Sequence, residues 1–151
     1  MTSKRPSQED YLSLPLVPFW IRICLVVTAV GGLVYFSVVP APGTGTLSYG
    51  PFGVFPYSVW LHLLGYMGLS IALAYASHDV YRPSRQVLVR VFILTVGCGT
   101  AVELIQFTLP TRTFSVFDIL VNAVGAGLGV SLWYVVDRLV GFQSLNELVS
   151  D

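Results

Sequence analysis

Charge is scarce in this chain. Its 151 residues include eight Lys and Arg and eight Asp and Glu, and charged residues make up 11% of the total. A soluble domain carries about 25%, so there is too little charge here to clothe a water-facing surface, and a lipid bilayer is expected as the main solvent. The formal net charge is zero, without the basic excess that nucleic-acid binding requires, so no nucleic-acid partner is expected. Cysteine is limited to Cys24 and Cys98. They lie in separate apolar runs without metal-ligand spacing and read as small buried apolar residues. No G-x-S-x-G nucleophile elbow occurs. No strands are expected, and so no glycine-rich phosphate loop following one.

Apolar sequence fills the space that charge leaves. Hydrophobic residues account for 54% and mean hydropathy is +0.74. Four runs, residues 19–39, 59–76, 87–107 and 117–136, are apolar over the length that a helix needs, about 20 residues for a core of about 30 Å. Pro18, Pro40, Pro83 and Pro110 stand at their boundaries and disfavour helix continuation. The predicted fold class is therefore all-α, an integral membrane bundle of four transmembrane helices. Residues 1–18 read as a polar, disordered tail, 19–138 as the membrane domain and 139–151 as a short amphipathic tail. The first run is longer than the 7–15 apolar residues of a signal peptide and follows a lead containing Glu9 and Asp10, so it reads as an anchor.

Basic residues set the expected orientation. With alternating spans, Lys4, Arg5, Arg22, Arg82, Arg85, Arg90 and Arg138 fall on one side and Arg112 alone on the other. The positive-inside rule makes the first side, with both termini, cytoplasmic in a plasma membrane. Arg22 and Arg90, one turn inside their spans, are expected to snorkel to the near interface. The first outer loop has no charge and carries Tyr49, Phe52, Phe55 and Tyr57 among Gly and Pro. Two readings stay open for it, a flexible connector or an aromatic loop resting on headgroups.

The same alternation collects polar residues at the outer level. Glu103 and Gln106 end the third span, and Asp118 and Asn122 begin the fourth. Arg112 and Ser115 lie between them, and His62 enters the second span with Tyr66 one turn deeper. Glu103 and Gln106 share a helix face at i, i+3, continued inward by Gly99 and Thr95. Asp118 and Asn122 share another at i, i+4, continued by Gly125 and Gly129 as a packing groove, which is expected to meet the Glu103 face of span three. Two explanations remain open. The polar set could fix helix register, Glu103 pairing with Arg112 or His62 and Asp118 capping span four. Alternatively it forms an outward-facing polar pocket that holds a headgroup or sugar. Ser115 reads as part of a helix N-cap. One histidine with two carboxylates could in principle ligate a metal, but His78 falls on the opposite side, and neither metal nor other cofactor is expected.

The run from Glu103 to Gly129 resembles the signature of VanZ-like membrane proteins: Glu-x-x-Gln, a Pro-x-Arg step, Asp-x-x-x-Asn and spaced glycines. Glu103, Gln106, Pro110, Arg112, Asp118, Asn122, Gly125 and Gly129 match it, and His62 with Tyr66 matches the His and aromatic of the family's second span. Ser58 and Val59 stand where family members often carry an Asp-Lys pair, so any charge that pair contributes is missing. The resemblance implies action at the cell envelope, in a family named for a protein associated with low-level teicoplanin resistance. Expected partners are membrane lipids, with a lipid-linked glycan or glycopeptide as candidate ligand and a homo-oligomer as a further possibility. In an enzyme, Glu103 would be the base, His62 the acid and Asp118 an orienting carboxylate. Gln106, Arg112, Asn122, Tyr66 and Ser115 would contact substrate. A non-catalytic assembly partner is the alternative, and a small transporter ranks last.

Overall fold

The structure, a computed structural model, describes residues 12–38, 49–78, 84–110 and 114–144. Lys4, Arg5 and Arg82, the boundary prolines Pro40 and Pro83, and the far ends of both tails lie outside the described residues. Four helices dominate: α1 (Phe19–Val38), α2 (Tyr57–Ala76), α3 (Arg85–Phe107) and α4 (Val116–Leu139). Each is long and apolar enough to cross a membrane, and their ends fall within three residues of the hydropathy runs.

The interior is inverted relative to a soluble protein. Among the described residues, nine buried side chains are apolar and nine are polar or charged, while Trp20, Phe36, Ile93, Phe107 and Leu120 are exposed. Polar groups inside and apolar groups outside is the arrangement expected where lipid covers the surface. Cys24 is on the exposed side of α1 and Cys98 is half-buried, which corrects their reading as buried core residues. With lipid as solvent, an apolar thiol gains little by turning inward.

Small residues decide which helices touch. A Cβ added at Gly125 would meet the backbone of Leu63 and Met67, and one at Gly129 would meet Ser70 Oγ and the Met67 carbonyl. Both partners belong to α2. The α4 glycine groove therefore seats α2, and not α3 as its spacing suggested. A compact apolar cluster of Ala74, Leu88, Val91 and Trp133 joins α2, α3 and α4 towards the other end.

At that end the segments flanking α1 and α4 are tied together. Segment β1 (Leu12–Leu16) pairs in parallel with β2 (Val140–Ser144), Leu12 opposite Val140 and Leu16 opposite Ser144. The ribbon is an addition to the helical bundle that sequence reading did not anticipate. Leu12, Leu14 and Leu16 do alternate with Ser13 and Pro15, but a proline inside five residues weakens a strand signal, and Val140–Ser144 lacks strict alternation. Arg22 is buried and does not snorkel. Its Nη1 donates to the carbonyls of Tyr75, at 3.3 Å, of Ala76, at 3.5 Å, and of His78. These are carbonyls at and just past the C-terminal end of α2, where helix bonding runs out and the dipole favours a cation. His78 Nδ1 lies 3.4 Å from Asp137 Oδ1, and the Tyr75 hydroxyl accepts from the Val17 N–H at 3.2 Å. Arg90, by contrast, is exposed.

Residues 49–56 form a tight loop. Tyr49 bridges Pro56, and the Gly50 N–H donates to the Phe55 carbonyl at 2.8 Å. Gly50 lies so close to the Trp60 ring that no side chain would fit. Tyr49, Phe52, Phe55 and Tyr57 are all exposed.

Candidate functional site

Helix ends build the site. Ser115 is the N-cap of α4, its Oγ accepting from the Asp118 N–H at 3.1 Å. Capping fixes the first turn, placing Asp118 on it and Asn122 one turn further. Glu103, one turn before the end of α3, is fully buried, and its Oε2 accepts the Ser115 N–H at 3.2 Å. The α3 carboxylate thus binds the backbone that opens α4, where negative charge also suits the helix dipole. Replacing Ser115 with alanine removes the cap and is expected to cost about 1 kcal/mol of stability. Thermal unfolding in detergent measures it, and an unchanged melting temperature would mean that the cap contributes nothing.

His62, half-buried on α2, lies at the same level. Its Nδ1 is 3.0 Å from Asn122 Oδ1. An amide oxygen only accepts, so Nδ1 carries a proton, and in the neutral ring Nε2 carries the lone pair. One ligand-type atom from each of His62, Glu103 and Asp118 lies within 4.8 Å of the others. Three helices thus bring an imidazole and two carboxylates to one point. His62 and Asp118 keep partial exposure there, while Glu103 and Asn122 are buried.

Tyr66 and Asn122 close the inner side. The Tyr66 ring stacks on His62, with centroids 6.1 Å apart and planes 21° from parallel. Gly99 leaves room for both: a Cβ there would lie 2.8 Å from Asn122 Nδ2 and 3.1 Å from Tyr66 Cε1. Tyr66 and Asn122 are fully buried. Neither the Tyr66 hydroxyl nor Asn122 Nδ2 has a hydrogen-bond partner among the described residues. Buried polar groups in that state are rare and call for an explanation.

Gln106 is buried, but its Nε2 donates to the Ser37 carbonyl at 3.0 Å, tying α3 to the last turn of α1. Its amide N–H serves a helix contact. Arg112 lies outside the described residues. Gly99 lets α3 approach Tyr66 and Asn122, whereas Gly125 and Gly129 seat α2. The sequence reading overlooked the second buried polar group, Arg22 with His78 and Asp137, at the opposite end. The alternation that aligned His62 with Asp118 also brings these three to one level and could have found it.

No curated protein and no solved structure matches the chain. The VanZ/LLP1 family profile matches residues 16–137, a stretch that takes in the four helices except the last two residues of α4, and every residue of the His62 cluster. The chain belongs to the VanZ/LLP1 family of membrane proteins.

Proposed function

We infer that the His62 end of the bundle faces out of the cytoplasm in the plasma membrane. There it binds the polar headgroup of an envelope lipid or lipid-linked glycan. Orientation is supported by charge: Arg22, Arg85, Arg90 and Arg138 belong to the opposite end, and the described residues at the His62 end contain no Lys or Arg. Binding is supported chiefly by one observation, the meeting of His62, Glu103 and Asp118 within 4.8 Å on three different helices. Carboxylates accept from sugar hydroxyls or headgroup amines, and the Tyr66 hydroxyl and Asn122 amide have donors to give. An acid–base reaction at this point would use Glu103 and His62, whose Nε2 is the nitrogen able to take up a proton.

A second reading has its own support. Glu103 receives the Ser115 N–H, and Asn122 bonds His62, so the same groups knit α2, α3 and α4 together. A purely structural cluster would need no ligand.

Lipid retention separates the two. The chain, gently purified, is expected to carry a defined envelope lipid detectable by mass spectrometry. Asp118→Asn, which keeps shape while removing charge, is expected to lower retention at least about tenfold, the scale of a lost charge-assisted hydrogen bond. The same variant should fail to rescue a knock-out phenotype at normal protein levels. Full retention and full rescue would leave the structural reading in place.

A further inference from the structure

We propose that His62, Glu103 and Asp118 bind a divalent first-row metal ion, of the zinc or manganese type. Three ligands about 2.0–2.2 Å from a shared ion lie about 3.3–3.8 Å apart. The three side chains already offer atoms within 4.8 Å of one another, so rotamer adjustments of about an ångström close the site around an ion. An imidazole with two carboxylates suits zinc, manganese or ferrous iron, and lacks the soft sulfur that selects cuprous copper.

The histidine is set up for this role. A metal-binding imidazole commonly donates its other N–H to a fixed acceptor, which holds the tautomer and the ring. Asn122 Oδ1 is that acceptor at His62 Nδ1, at 3.0 Å, leaving Nε2 as the ligand atom. Glu103 keeps the Ser115 N–H on one oxygen, and a carboxylate has lone pairs for an ion besides.

Tyr66 supplies an independent indication of a ligand. Its hydroxyl is fully buried with no hydrogen-bond partner among the described residues. It lies one turn below His62 against that ring. An oxygen held on the ion, from water or a ligand, would give this donor its acceptor. Three protein ligands leave a coordination position open for such an oxygen.

The role of that open position rests on the headgroup reading above; metal binding itself does not. Two carboxylates alone would repel a phosphate-bearing headgroup. A dication among them reverses the local field and attracts a phosphate or carboxylate oxygen.

The test uses the tag-free full chain in detergent, stripped by chelator and then titrated with Zn²⁺, Mn²⁺ or Co²⁺. Elemental analysis after gel filtration is expected to give about one equivalent per chain. His62→Gln should abolish uptake while circular dichroism and a monodisperse profile show the fold intact. Asn122→Leu should weaken affinity about 10–100-fold, the usual effect of losing a ligand's supporting hydrogen bond. Asn122→Asp, which retains the acceptor, should bind. Failure of the parent chain to take up the ion overturns the proposal whether or not any variant folds, and so does unchanged uptake by a folded His62→Gln chain. Lipid retention by a chain that binds no ion would overturn this inference alone. An ion bound without any lipid would uphold it and sink the headgroup reading.

Discussion

Gly129→Ala and Gly97→Ala are expected to change stability in opposite directions, although both add one methyl group to a helix. At Gly129 the new Cβ would lie on the Met67 carbonyl and Ser70 Oγ of α2. Ser70 already donates to that carbonyl, at 2.9 Å, and the carbonyl belongs to the helix backbone and cannot step aside. The helices must separate, and α4 rests on α2 along this groove at both Gly125 and Gly129. Overpacking of this kind costs about 1–3 kcal/mol, and we expect the upper end because the obstruction is backbone. At Gly97 nothing lies within 4 Å of the added atom. There alanine gains helix propensity alone, worth about 0.5–1 kcal/mol. Paired unfolding curves in detergent measure both, and a Gly129→Ala chain as stable as its parent would refute the α2–α4 packing.

Arg22→Met is expected to cost about 3 kcal/mol, since it removes a charged donor from three backbone carbonyls that are then left with less hydrogen bonding in a dry setting. The guanidinium is buried and reaches the carbonyls of Tyr75, Ala76 and His78 at the end of α2. Its removal loosens α1 from α2 at the level where β1 and β2 pair. Arg22→Lys should recover only part of the loss, because an ammonium lacks the planar fork. Arg90→Met, at an exposed position, should stay within about 0.5 kcal/mol of the parent. Equal melting temperatures for Arg22→Met and Arg90→Met would restore the view that both arginines merely snorkel.

Much of this layout is legible in the chain. Hydropathy places all four helices, and the family match covers the same stretch. The cap at Ser115 follows from a serine just before an apolar run with Asp118 in the first turn. Helix alternation also brings His62, Glu103, Asp118 and Asn122 to one level. The direction each residue faces is harder to read. Gln106 shares a helix face with Glu103, yet its amide turns to Ser37 on α1. Gly125 and Gly129 suit any close neighbour, and only packing chooses α2.

The reason is physical. A bilayer imposes a thickness, and thickness fixes depth along a helix, so a one-dimensional pattern of apolar runs and polar interruptions determines spans and levels. Rotation about the helix axis and choice of neighbour leave little trace in hydropathy, because lipid-facing and partner-facing residues are both apolar. Those choices come from the fit of small residues against particular backbones and from hydrogen bonds made between helices. Span lengths alone therefore bring His62, Glu103 and Asp118 to one level. Their meeting at one point depends on how the helices rotate and pack against each other.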